Sequence, residues 1–238
     1  ISNNHKLAAI VMEVSRNEKP KNNFLKKIRD LANKKNIVLI FDECTSGFRE
    51  SFGGLHLKYK VNPDICILGK TLGNGYAVNA VIGREEVMKG FYKTFISSTF
   101  WTERIGSVAG IATLNEMEKI KSWKIISKLG KDIKTNWKKI SVRNNLRLKI
   151  YGLDPLPKFD FTSENNLLYK TFISQEFLKK KILASNTIYL SISHDKKKII
   201  QEYYSTLDEI FNKIKQYGPD IKYLLDGPVC INGLRDSK

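Results

Sequence analysis

Two charged side chains, each at the end of a short apolar run, offer the first hint of chemistry. Ile37 to Phe41 is apolar and gives way to Asp42-Glu43, and Ile65 to Leu68 is apolar and gives way to Gly69-Lys70. A short apolar run bounded by turn residues reads as a strand buried on both faces of a parallel sheet. Ligands of such sheets bind beyond the carboxyl ends of the strands. Asp42 and Lys70 are therefore expected to face one crevice, an acid beside an amine. Asp42 alone also reads as a turn cap, a common role for aspartate at a strand end. Lys70 lies between glycines, an uncommon setting for a solvated surface lysine.

The elements that must position this pair follow from the apolar periodicity. Leu7 to Met12 reads as a strand ending in Glu13. Phe24, Leu25, Ile28, Leu31 and Ala32 repeat at helical spacing, which predicts a helix over 23–35. Strand, helix and strand make a βαβ unit with a right-handed crossover. Asn62-Pro63-Asp64 is a turn into the strand 65–68, and 77–82 reads as a further strand. Helices are expected over 55–60, 85–89, 103–121, 123–140, 167–181 and 196–216. Short strands joined by a proline-rich turn follow Ser141, and a strand is expected over Thr187 to Ile192. A domain boundary falls near residue 121, which predicts units 1–121 and 122–238.

The 238 residues suffice for a core without disulfides or metals. No run is long enough to span a membrane, and no secretory pattern opens the chain. Cys44, Cys66 and Cys230 form neither a CxxC nor an even set, so a reducing cytoplasm is the simplest setting and no metal site is expected. The net charge of +17 raises nucleic-acid binding as a rival function. Only eight of the 41 basic residues are arginine, and they are spread over most helices, which favours a solvated lysine-rich surface. His56 and His194 lack partners for metal or triad chemistry and read as structural. Arg49 reads either as a loop brace or as a binding residue.

The stretches LIFDECTSGFRESFGG and NPDICILGKTLGNGYAVNAVIG carry a specific pattern. They resemble the class III, fold type I, pyridoxal-phosphate aminotransferases. The GFRxxxGG and LGK elements resemble the glutamate-1-semialdehyde aminomutase branch, whose relatives include aminotransferases of surface-sugar biosynthesis. The resemblance runs from Ala8 to the helix near Tyr203 and is strongest over residues 37–83. It implies an α/β fold, in which 1–121 is the C-terminal part of a large domain with a mostly parallel sheet and 122–238 is a small α+β domain.

The resemblance also implies a cofactor, pyridoxal 5'-phosphate, and roles for four residues. Lys70 would hold the cofactor as a Schiff base and move a proton, a role that suits an amine whose pKa shifts readily on burial. Asp42 would keep the pyridine nitrogen protonated. Cys44 stands where the family usually has valine against the ring face; it also reads as a small buried hydrophobe. Thr99 would reach the phosphate across a homodimer interface, or cap the following helix. The reaction would move an amino group between a small-molecule donor and acceptor. Complete members are much longer and carry a stacking aromatic and a phosphate loop ahead of this region. The chain, which starts at Ile1 and not at Met, is therefore expected to be a fragment, and a catalytically incomplete one is the alternative. Asn74 and Ala77 replace expected Gly and Pro, and IYLSISHD lacks the late arginine of many relatives; ISHDKKKI resembles the AHTxEDI of the aminomutase branch.

Overall fold

The computed structural model describes residues 7–231. The chain divides into two compact units, Ile1–Lys124 and Ile125–Lys238. The first is built on a four-stranded sheet of order β1-β2-β3-β4, comprising β1 (Ala9–Met12), β2 (Val38–Asp42), β3 (Ile65–Leu68) and β4 (Ala80–Gly83). The first three strands run parallel and β4 runs antiparallel to β3, so the sheet is mostly parallel. Helix α1 (Phe24–Lys34) connects β1 to β2 and buries Leu25 and Ala32. The helices α2 (His56–Tyr59), α3 (Glu85–Met88) and α4 (Arg104–Ile120) complete the unit.

The strands are not buried on both faces as their composition predicts. In β2, Leu39 and Phe41 are buried while Val38, Ile40 and Asp42 are half-open. In β3, Cys66 and Leu68 pack with Phe48, Leu72, Leu114 and Met117, while Ile65 and Ile67 stay half-open. Neighbouring side chains of a strand point to opposite faces, so one packed layer produces this alternation. The phase carries past the strand: Glu43 continues the buried row of Leu39 and Phe41, and Asp42 continues the open one.

Asp64 ties the layers together. Its Oδ2 accepts from the Leu39 amide and from Arg29 on α1, both at 2.8 Å, and its Oδ1 accepts from Arg84 at 3.1 Å. The Asp64 amide returns a bond to the Leu39 carbonyl at 2.8 Å, which extends the β2–β3 ladder through a side chain. Burial alone would raise the Asp64 carboxyl; the Leu39 amide and the two arginines outweigh it and hold the group below its ordinary range.

The second unit packs α5 (Ser122–Arg143, mostly in this unit), α6 (Asn166–Lys179) and α7 (Lys197–Tyr217) with the antiparallel pair β5 (Leu148–Tyr151) and β6 (Lys158–Phe161). Its core is aromatic: Trp137, Phe159, Phe172, Phe177 and Phe211 are almost fully buried. The Trp137 indole donates to the Tyr203 hydroxyl at 2.9 Å, and Tyr203 stacks on Phe177 with centroids 5.2 Å apart. Buried indole and phenol groups need such a partner.

The strand expected over Thr187 to Ile192 does not form. The segment makes one isolated antiparallel bridge, Thr187 to Lys158, and turns into a short 3-10 helix at Ile192–His194. The amides of Ile188 and Leu190 donate to the carbonyls of Pro157 and Pro155. Phe159 N–H returns a bond to the Asn186 carbonyl, but the prolines have no N–H to give back, so no ladder continues past the bridge. Among the described residues no helix is long and apolar enough to cross a membrane.

Candidate active site at the strand ends

The carboxyl ends of β2 and β3 lie side by side, with Asp42 opposite Ile67 in register. The Glu43 amide donates to the Ile67 carbonyl at 2.8 Å, so the two strands stay joined one residue past β2. Beyond that point the chain leaves β2 as a tight loop, with Gly47 N–H donating to the Glu43 carbonyl at 2.8 Å. A Cβ at Gly47 would stand 2.9 Å from that carbonyl and 2.8 Å from Leu68, so the loop can be this tight only with glycine.

Asp42 is half-buried, and its Oδ1 accepts from the Cys44 amide at 3.0 Å. The Cys44 thiol also lies against this carboxylate. Cys44 is half-buried beside it, and a Cβ at Gly69 would come within 3.3 Å of its sulfur. Burial pushes the Cys44 thiol up, and Asp42 adds to the rise while Lys70 offsets part of it. Cys44 is therefore a neutral thiol, a small soft surface and not a nucleophile.

Lys70 follows β3 and Gly69 and opens a short 3-10 turn. Its backbone sits in the left-handed region at φ 45°, which costs an L-residue about 1–2 kcal/mol. Strain of this kind gathers at functional positions. The Lys70 side chain is exposed, and Nζ donates to Thr45 Oγ1 at 2.6 Å. No carboxylate pairs with it among the described residues. The hydroxyl of Thr71, the next residue, is buried without a hydrogen-bond partner.

Asp42, Cys44 and Lys70 are thus brought to one place. Thr99 is not bonded to them. It lies in an exposed turn before α4, and the N-cap of α4 is Glu103, so the capping role for Thr99 fails. Glu13, at the end of β1, pairs with Arg16 at 3.4 Å.

Sequence spacing gave no role to Glu43, which stands behind the site. Glu43 is wholly buried and accepts from the Ser46 hydroxyl at 2.9 Å, the His56 amide at 3.0 Å, the Leu55 amide, and the His56 ring at 2.6 Å. Burial alone would raise its carboxyl; these bonds outweigh it, with the His56 ring foremost, and hold it below its ordinary range. His56 therefore has a partner, and its role is to anchor the loop that leads into α2. The ligand atoms of Glu43, His56 and Cys66 lie within 4.8 Å of one another. The Glu43 oxygens are already taken by four donors, and the Cys66 thiol, pushed up to about 12 by burial, stays protonated, so the set makes a poor metal site. Arg49 is buried, and its Nε donates to the Thr45 carbonyl at 2.8 Å, which makes it a loop brace. The signal available for Glu43 was its place in the alternation of β2; nothing in sequence spacing singled out Thr45.

The fold places the chain among solved transaminases. A FumI protein of Sphingopyxis sp. MTA144, described with PLP, aligns over 90% of this chain and 54% of its own with a TM-score of 0.83 and 19% identity. An acetylornithine aminotransferase of Elizabethkingia anophelis aligns over 89% and 56% with a TM-score of 0.75 and 22% identity. The class-III aminotransferase family matches residues 2–188, and the chain belongs to that family. Its relatives include a 3-aminobutyryl-CoA aminotransferase of Cloacimonas acidaminovorans (strain Evry), 34% identical over 74% of this chain and 42% of that protein. A glutamate-1-semialdehyde 2,1-aminomutase of Methanocaldococcus jannaschii is 26% identical over 82% and 50%. The chain spans about half the length of the curated relatives it matches.

Proposed function

We propose that this chain supplies the lysine and the ring-nitrogen carboxylate of a pyridoxal-phosphate-dependent aminotransferase or aminomutase. The observation that carries the reading is the placement, at adjacent parallel strand ends, of a half-buried carboxylate and an exposed lysine amine that no carboxylate pairs with among the described residues. When bound, pyridoxal 5'-phosphate supplies an aldehyde carbon and an electron-accepting ring. The Asp42 carboxylate would accept from the ring N–H, and its charge would favour the protonated nitrogen. Cys44 offers a neutral surface to the ring and keeps water from it. Lys70 Nζ holds the cofactor carbon and moves the substrate proton. Thr99 is assigned to the phosphate, contributed to a second copy in a homodimer. Phe95, Phe100, Trp101, Ile105 and Val108, along the same segment, are exposed apolar side chains and fit a partner surface. Three free cysteines fit a reducing cytoplasm. Within this reading, Ile1–Lys124 belongs to the large domain and Ile125–Lys238 is the small one.

The test is spectroscopic. The purified chain mixed with pyridoxal 5'-phosphate is expected to develop a visible absorbance band that Lys70→Ala abolishes. A wild-type chain that stays colourless with excess cofactor, or a Lys70→Ala variant that keeps the band, overturns the assignment.

A further inference from the structure

We propose that Thr45 is a positioning residue for Lys70: its hydroxyl holds the lysine amine at the mouth of the site whenever that amine carries no cofactor. The inference rests on the cofactor reading above. A lysine side chain free in solvent samples many rotamers. Lys70 is exposed, yet its Nζ donates at 2.6 Å to Thr45 Oγ1. The partner is neutral. A carboxylate there would hold the amine as ammonium. A hydroxyl accepts from an ammonium and can equally donate to a free amine, so it serves both protonation states. That is the partner required by an amine that must lose a proton to react and take one up afterwards.

Thr45 is itself held from behind. Its carbonyl accepts from the buried Arg49, and the loop that carries it is pinned to β3 by Glu43 N–H and to the α2 entry by the Glu43 carboxylate. Threonine is also stiff at χ1, so the direction of its hydroxyl is set by the backbone. Donor and acceptor are therefore mounted on neighbouring strand ends, and the left-handed backbone of Lys70 fixes where its side chain departs. In capture, the Nζ lone pair attacks the aldehyde carbon. A carbon–nitrogen double bond forms, the carbonyl oxygen leaves as water with both amine protons, and no electrons are gained or lost. Orientation of Nζ is the contribution assigned to Thr45, and loss of orientation slows such a step.

The experiment follows the rise of the visible band by stopped flow after pyridoxal 5'-phosphate is mixed with the cofactor-free full chain. Thr45→Val keeps the shape and removes the hydroxyl; Thr45→Ser keeps the hydroxyl. Thr45→Val is expected to slow capture about tenfold, and Thr45→Ser to stay within about twofold of wild type. Thermal unfolding checks that each variant is folded, and Thr45→Ala replaces Thr45→Val if the latter is not. Capture by the folded Val or Ala variant at the wild-type rate makes Thr45 a spectator and leaves the cofactor reading intact. A Ser variant as slow as Val removes the hydroxyl from the argument. A colourless wild type sinks the cofactor reading and the inference with it.

Discussion

His56 Nδ1 lies 2.6 Å from Glu43 Oε1, and the carboxylate it meets is wholly buried. At that distance the ring nitrogen carries the proton and donates it. The pair locks the loop after β2 to the segment that opens α2. Gly54 makes room for it: a Cβ there would stand 2.4 Å from the His56 ring and 2.7 Å from Glu43 Oε1.

This pair predicts an acid-sensitive fold in the first unit. The Glu43 carboxyl is held below its ordinary range. Its contribution is complete above the unfolded carboxylate range and is lost as pH falls through the lower, folded value. Glu43→Ala leaves Ser46 and the amides of Leu55 and His56 without their acceptor and is expected to cost about 3 kcal/mol near neutral pH. Urea unfolding from neutral to acid pH checks both points. The difference between wild type and variant should shrink below about pH 4, and a constant difference would falsify the linkage.

Cys44 predicts slow thiol chemistry. Its thiol is raised by burial, then by Asp42, with Lys70 as a partial offset. Alkylation by iodoacetamide, followed by mass spectrometry of the Cys44 peptide, is expected to accelerate only above the ordinary thiol range near about pH 8.5. The Cys66 peptide, with its thiol pushed up to about 12, should remain unlabelled in the folded chain. Rapid labelling of Cys44 at neutral pH would contradict the neutral-thiol assignment.

Gly130 predicts a steric requirement in the second unit. A Cβ at this position would lie 1.7 Å from the Asp154 carbonyl, while one at Gly90 would meet nothing within 4 Å. The backbone at Gly130 is helical, so the constraint is space and not conformation. Gly130→Ala is expected to lose about 3 kcal/mol or more. Gly90→Ala should shift stability by less than about 1 kcal/mol. Thermal melts of the two variants compare them directly, and equal melting temperatures would refute the close approach.

The division between what the chain reveals linearly and what folding adds is visible in particular residues. Asp42 and Lys70 were legible because apolar runs that stop in a charge mark strand ends, and β2 and β3 are there. The helices over 24–34, 104–120 and 197–217 were legible from their period. The false strand at Thr187 to Ile192 came from reading apolar character without asking what its partner could return; the prolines of that partner lie some 30 positions earlier. The role of Thr45 and the partner of His56 were illegible for the same reason. Each residue acquires its role from a residue distant in sequence, Lys70 in one case and Glu43 in the other. By itself the sequence determined most of the elements and the two charged strand ends, because periodicity and side-chain chemistry are local. Only the tertiary structure decided which side chains hold that pair in place, because a hydrogen bond exists only once the register of β2 against β3 brings its donor and acceptor within reach.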